Sequence, residues 1–189
     1  MLINKGAKMP HRNKLLDLLN KYEVCSAEDE AAKSKIIDFV KNNKNCFSRE
    51  NLAGHITGSA WLVGPDKTSV LLTHHKKIGR WLQLGGHADG ETDILEVAKK
   101  EALEESGITS IYTDKKDIFD LDVHLIEQHK ETPPHYHYDI KFLFYAGNFN
   151  YKISTESNAL KWVDILEVKN DLTYCNNLRK MADKYLKMF

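Results

Sequence analysis

The sequence has few cysteines, no long apolar run and no excess of charge of one sign. Its three cysteines, Cys25, Cys46 and Cys175, are an odd set without metal-knuckle spacing, which is typical of free thiols in a reducing compartment. No apolar run approaches the roughly 20 residues that a membrane span needs, and the polar N-terminus argues against a signal peptide. These absences predict a cytoplasmic protein without a membrane partner.

The charges of the chain are balanced, with 27 lysines and arginines against 27 aspartates and glutamates. This balance argues against the broad basic surface that nucleic-acid-binding proteins use, so no nucleic-acid partner is expected. A length of 189 residues suffices for one domain with a proper core and a small appendage.

The most informative stretch is a glycine-rich loop, residues 85–90, followed by a predicted helix that Gly107 ends. One face of this helix begins apolar and ends with three carboxylates, those of Glu101, Glu104 and Glu105. Lys100 falls on the other side, within reach of Glu96, so we expect the lysines not to neutralise the three acids. Carboxylates at this spacing repel one another unless a cation lies among them, and oxygen ligands suit Mg²⁺ or Mn²⁺.

The same stretch resembles the Nudix box, over residues 86–108. The match runs from Gly86 through five residues to Thr92, then through seven more to Lys100-Glu-Ala-Leu-Glu-Glu-Ser-Gly-Ile108. The family has glutamate where Thr92 stands and arginine where Lys100 stands; alternatively, Glu91 is the family's acid and the loop is one residue longer. The three helix glutamates match fully, and the flanking strands extend the resemblance over about residues 54–165.

The resemblance implies an α/β fold, a Nudix-type α/β/α sandwich with a mixed sheet, plus extra N-terminal helices. It also implies a metal-dependent pyrophosphatase that cleaves a pyrophosphate linkage in a small nucleoside diphosphate derivative. Mg²⁺ or Mn²⁺ would be held by the three box acids, Glu101, Glu104 and Glu105. Glu104 or Glu105 is the expected base, with Asp139 and Glu131 as candidates outside the box. Substrate binding is expected from Lys100, Arg80 and Gly86.

Periodicity along the rest of the chain predicts two domains, a helical appendage over 1–45 and the Nudix domain over 46–189. The appendage contains two predicted helices, over 11–22 and from 26 to about 42. Two interpretations of it stay open, a packing or homodimerisation element and a lid that contributes to substrate choice. Residues 46–53 are predicted as a linker, strands are predicted over 55–63, 69–75, 118–128, 135–145 and 157–163, and a closing helix over 171–187.

Histidines suggest a second site. His55 opens the first strand, His87 lies in the glycine loop, and His137 shares a strand face with His135 and Asp139. These neighbourhoods resemble the isopentenyl-diphosphate isomerase branch of the Nudix superfamily, in which the strand and the glycine-histidine pair supply metal ligands. Because imidazoles with one carboxylate prefer transition metals, a second, transition-metal site is predicted at His55, His87, His137 and Asp139.

Two other functions are weighed against hydrolysis. The isomerase needs a cysteine immediately before the glycine-histidine pair, and Gly85 stands there, so the two-sided proton transfer lacks one side. A non-catalytic nucleotide-sensing module is disfavoured by the complete set of box glutamates. The alternatives are therefore an isomerase-like diphosphate enzyme and a sensor, both ranked below the hydrolase.

Overall fold

The structure, a computed structural model, describes residues 10–128, 132–155 and 157–189. The helices are α1 (Pro10–Lys21), α2 (Ala27–Asn42), α3 (Ile94–Ser106), α4 (Ile165–Asn170) and α5 (Asn176–Leu186). The strands are β1 (Gly54–Val63), β2 (Ser69–His75), β3 (Trp81–Leu82), β4 (Leu84–His87), β5 (Ile111–Tyr112), β6 (Asp120–Ile126), β7 (His135–Ala146) and β8 (Ser157–Asp164). These bounds confirm the predicted helix over 11–22, the helix ending near residue 42 and the five predicted strands to within a few residues.

Helix α2 begins where a side chain can cap it. The Ser26 hydroxyl accepts a hydrogen bond from the amide of Asp29, and three acids in the first turn face the positive end of the helix dipole. Ile36, Phe39 and Val40 are buried, and the Phe39 ring stacks on Tyr138 of β7 at 3.9 Å between centroids. Helix α2 therefore packs directly on the sheet through its apolar face.

Strand β1 is the centre of a mixed sheet in which all ten of its residues are buried. It runs parallel to β7, from the pair Gly54 and Tyr136 to the pair Val63 and Tyr145. On its other edge, the middle of β1, residues 57–60, pairs with β4, and its last residue pairs with β2. Strands β2, β3 and β8 form one wing of the sheet, and β5 and β6 pair with β7.

The two faces of the sheet are covered by different helices. Ile56, Ala60 and Leu62 of β1 belong to one core cluster with residues of α1, α2 and α3. Trp61 and Val63, which point to the opposite face, pack in a second cluster with α4 and α5. Helices on both faces of a mixed sheet confirm the predicted α/β/α sandwich with extra N-terminal helices.

The predicted closing helix over 171–187 is present but begins five residues later, and a short helix that was not predicted precedes it. The chain forms α4 from Ile165, leaves the helix at Asp171, and begins α5 only at Asn176. Leu172, inside the predicted range, lies between the two helices and is 78% exposed. Asp164 starts α4 by accepting hydrogen bonds from the amides of Leu166 and Glu167, a local capping signal that apolar periodicity does not contain.

The predicted linker over 46–53 is a set of turns that contributes to the core. Cys46 and Phe47 are buried in the cluster that also holds α1 to α3. Within the described residues, no helix is both long and apolar enough to cross a membrane. The domain boundary near residue 45, the cytoplasmic location and the homodimer stay predictions.

Candidate active site and histidine cluster

One end of the sheet carries polar side chains where the rest of the same face is apolar. Along the register of β1 and β7, His55 lies beside His137, Thr57 beside Asp139, and Ser59 beside Lys141, before the apolar pair Trp61 and Leu143. A cavity of about 650 Å³ lies there and is lined by Thr57, Ser59, Arg80, Gly85, Gly86, His87, Glu105, His137 and Asp139, among others. The structure therefore brings the glycine loop, a box glutamate and the long strand to one cavity.

Helix α3 presents two box carboxylates to β4. Glu105 is 6% exposed, and its Oε1 accepts a hydrogen bond of 2.8 Å from the amide of Gly85. Glu101 lies against Gly86, where a Cβ atom would stand 2.5 Å from the Glu101 Oε2. Glycine at position 86 is thus needed for the carboxylate to approach the strand this closely.

Glu104 has a different environment from the other two box acids. It is exposed, and its Oε1 is 3.5 Å from the Nζ of Lys100, which is also exposed. The expectation that the lysines stay clear of the three acids was therefore wrong, because an i,i+4 pair forms with Glu104. The same ion pair places Lys100 beside a carboxylate, while Arg80 lines the cavity.

The loop before α3 is held by Glu91. Its Oε1 accepts hydrogen bonds from the amides of Thr92 at 2.6 Å and Asp93 at 3.0 Å. This carboxylate thus bonds the backbone just before the helix rather than the cavity. Both alignments of the irregular box, with Thr92 or with Glu91 at the family's acid, stay open.

Asp139 is the most strongly held acid of the cavity. It is 2% exposed, and its Oδ1 accepts hydrogen bonds of 2.8 Å from the hydroxyls of Thr57 and Ser59, while Oδ2 accepts one of 3.3 Å from Gln83. These donors fix the direction of the carboxylate. The sequence pattern did not single out Thr57, Ser59 and Gln83, because nothing local shows that three separate segments meet one acid. Glu131, the other base predicted outside the box, lies outside the described residues.

Histidines form a cluster beside this acid. The ring of His55 lies 4.8 Å from that of His137, 5.0 Å from His135 and 5.0 Å from His87, measured between centroids. One nitrogen from each of His55, His135 and His137 lies within 4.8 Å of the others, a group with metal-binding spacing. His135 was not among the predicted ligands, although its spacing of two residues from His137 on one strand was a usable signal.

His55 is buried in this cluster, and His135 and His137 are half-buried. Burial, with His87 and His135 nearby, lowers the pKa of His55 to about 4. Burial, His87 and His55 lower the pKa of His137 to about 2. Neutral imidazoles have a lone pair to offer, so near pH 7 these side chains suit a metal ion better than an anion.

A buried ion network lies under the cavity and was not predicted. Lys141, which is fully buried, donates to Asp120 at 3.1 Å and to Asn177 of α5 at 2.6 Å. Lys180 of α5 joins Asp120 at 3.0 Å to Asp29 of α2 at 3.2 Å. Burial alone would lower the pKa of Lys141, but Asp120 and two other aspartates outweigh it and raise that pKa. The network connects helices on the two sides of the sheet edge.

Solved structures similar to this chain carry the names of Nudix, MutT and pyrophosphohydrolase proteins. A hydrolase of the NUDIX family from Clostridium perfringens is 26% identical, covering 71% of this chain and 97% of that one, with a TM-score of 0.52. The MutT protein from Methanosarcina mazei Go1 is 20% identical, with coverages of 71% and 94% and a TM-score of 0.54. The E. coli dihydroneopterin triphosphate pyrophosphohydrolase is 14% identical, with coverages of 71% and 96% and a TM-score of 0.53.

The other comparisons found nothing. No family model matches the chain, and no curated protein sequence matches it. The similarity is therefore one of fold, supported in sequence by the 26% identity to the Clostridium perfringens hydrolase.

Proposed function

We propose, from the premise that this chain has the fold of the Nudix superfamily, that it is a metal-dependent hydrolase of a pyrophosphate linkage in a nucleoside diphosphate derivative. The main support for the proposal is the contact of two box carboxylates with the glycine loop. Glu105 accepts from the Gly85 amide, and Glu101 occupies the space that a side chain at position 86 would take. Both carboxylates therefore lie at the strand that lines the cavity.

The residues present fit a hard divalent cation. Glu101, Glu104 and Glu105 supply only oxygen donors on one helix, at the i, i+3 and i+4 spacing that brings them to one face. Mg²⁺ or Mn²⁺ held there would withdraw charge from the phosphoryl oxygens and lower the pKa of a bound water. Within the proposal these three glutamates are the ligands, which makes the site independent of the histidines.

Within the proposal, a box carboxylate accepts the proton of the attacking water. Glu104 is exposed and can reorient, because its ion pair with Lys100 faces solvent. Glu105 is buried and held by the Gly85 amide, so it suits a ligand or a fixed base. Asp139 already accepts from three side chains, which favours a positioning role over proton transfer.

Substrate binding follows from the cavity lining. Arg80 supplies a guanidinium that can contact a phosphate in a bidentate way, and Gly86 lets a phosphate approach the backbone closely. Ile78, Leu82 and Ile126 add apolar surface suited to the flat face of a base or a similar group. The isomerase and sensor alternatives gain no support from these contacts, since position 85 is glycine and all three box acids are present.

The test is hydrolysis by the metal-stripped protein on a panel of nucleoside diphosphate derivatives, with Mg²⁺, Mn²⁺ and Zn²⁺ added separately. Release of nucleoside monophosphate or phosphate should require the metal and fall by about 100-fold or more in Glu104→Gln, because the metal clamp supplies several kcal/mol. Glu96→Gln is the matched control, since Glu96 is an exposed glutamate of the same helix. Equal losses in both variants, or metal-independent release, would contradict the proposal.

A further inference from the structure

We propose that His55, His135 and His137 form a transition-metal site, separate from the box glutamates, that takes a borderline divalent ion such as Zn²⁺. The three imidazoles come from the first residues of β7 and from the β1 residue that pairs with His137. One nitrogen from each lies within 4.8 Å of the others. The proposal does not depend on the hydrolase function.

Unsatisfied buried nitrogens indicate that something belongs between these rings. In the described part of the chain, neither ring nitrogen of His55 has a partner in hydrogen-bonding geometry, and neither does the Nε2 of His137. His55 is 3% exposed, so water from bulk solvent does not reach it readily. A buried polar atom left without a partner costs about 1 to 3 kcal/mol, and a bound ion would remove that cost for one nitrogen of His55 and for the Nε2 of His137.

The distances suit an ion of this kind. Zinc bonds imidazole nitrogen at about 2.0 to 2.1 Å, so tetrahedral ligand atoms stand about 3.4 Å apart. The three nitrogens lie within 4.8 Å of one another, so the imidazole rings would have to move closer together when the ion binds. His55 and His137 are register partners in a parallel ladder, so their side chains leave the sheet side by side.

His135 already has the second contact that metal-bound histidines usually make. Its Nδ1 lies 2.9 Å from the carbonyl oxygen of Pro133 and donates to it, which fixes the proton there. The Nε2 lone pair is then the one available to a metal. This contact also gives Pro133, in the turn before β7, a role in directing the ring.

The donor set selects the metal. All three ligands are nitrogens, and Asp139 is held by Thr57, Ser59 and Gln83 rather than by this group. Nitrogen ligands favour Zn²⁺, Ni²⁺ or Cu²⁺, whereas Mg²⁺ prefers oxygen. Three protein ligands leave a fourth position, which His87 borders, with its ring 5.0 Å from His55 and 5.1 Å from His137.

The experiment is titration of the metal-stripped full-length chain with Zn²⁺, followed by calorimetry and by X-ray absorption of the bound ion. We expect one tight Zn²⁺ site with nitrogen ligands. Losing a residue that only orients a metal ligand lowers metal affinity by roughly 10- to 100-fold. Because His135 is proposed as a ligand itself, His135→Gln should lower the Zn²⁺ affinity by more than that. His135 is half-buried at a strand end, so this variant should keep the fold; circular dichroism checks that. His74→Gln, on β2 and bonded to Asn158, is the matched control and should bind Zn²⁺ as the wild type does.

Glu104→Gln separates this site from the box. Zn²⁺ affinity that survives in Glu104→Gln and falls in His135→Gln supports the histidine site, whatever the hydrolysis assay shows. Unchanged affinity in a folded His135→Gln, or an absorption spectrum with oxygen ligands only, would overturn it. So would a loss of the tight site in Glu104→Gln, because the ion would then belong to the glutamates.

Discussion

Asp120 holds its charge inside the protein, where no solvent screens it. Its side chain is 0% exposed, with Lys141 at 3.1 Å and Lys180 at 3.0 Å. Asp120→Asn keeps the shape but leaves the Lys141 ammonium without its buried counter-charge. We expect a loss of about 3 to 5 kcal/mol in the free energy of unfolding, measured by urea denaturation.

Asp183→Asn is the control for Asp120→Asn. Asp183 also pairs with two lysines, at 2.8 and 2.7 Å, but its side chain is 34% exposed. Solvent screening should limit its loss to about 1 kcal/mol or less. Similar losses for the two variants would show that burial of the Asp120 pair contributes nothing.

The proposed chemistry depends on strand β4 and helix α3. Substitutions at two adjacent glycines of β4 should affect stability and activity differently. At Gly86 an added Cβ meets only the flexible carboxylate of Glu101. Gly86→Ala should therefore leave the free energy of unfolding within about 1 kcal/mol of the wild type. The displaced carboxylate should lower metal-dependent kcat on the order of 100-fold, measured on the substrate that the panel identifies.

Gly85→Ala, in contrast to Gly86→Ala, should mainly lower stability. Its added Cβ would lie 2.8 Å from the Ser59 Cα and 2.9 Å from the Gly58 carbonyl oxygen, which are backbone atoms of β1. Strand β4 must then move from β1, so we expect a loss of about 1 to 3 kcal/mol in thermal or urea unfolding. A stable Gly85→Ala beside an unstable Gly86→Ala would refute this reading of the strand.

The sequence predicted helices and strands well, but it predicted contacts between distant segments poorly. Strands β1, β2 and β7 were predicted almost to their ends, because alternation and turn residues are local signals. Helix α4 was missed, because six residues are too few to show a helical period. The box acids were found through their i,i+4 spacing, whereas the Asp139 donors and the Lys141 network join segments far apart in the chain. His135 illustrates this limit, because the sequence placed it on the same strand face as His137 but did not show that it lies beside His55.

The whole molecule should lose stability in acid through Asp29, which ties α2 to α5. Burial alone would raise the pKa of Asp29, but Lys180, the Cys25 amide and Lys184 outweigh it and lower that pKa below 3.8. In the window below the unfolded value the unfolded chain binds more protons, so stability present above about pH 4 is lost as the pH falls. Urea unfolding from pH 7 to pH 2.5 should show this decline.

Asp29→Asn should flatten that decline and lower the stability at pH 7, since it cannot carry the charge that the two lysines face. Asp38→Asn, an exposed position on the same helix, should follow the wild-type curve. Parallel curves for wild type and Asp29→Asn would mean that the acid sensitivity comes from another group.

The parallel pairing of β1 with β7 has a consequence for synthesis on the ribosome. Thr57 and Asp139, which are bonded across this pair, stand 82 residues apart in the chain. At about 5 to 20 residues per second, β1 emerges roughly 4 to 16 seconds before its partner exists. Throughout that interval the strand that becomes the centre of the sheet has an edge without its β7 partner, and an unpaired edge of this kind favours aggregation.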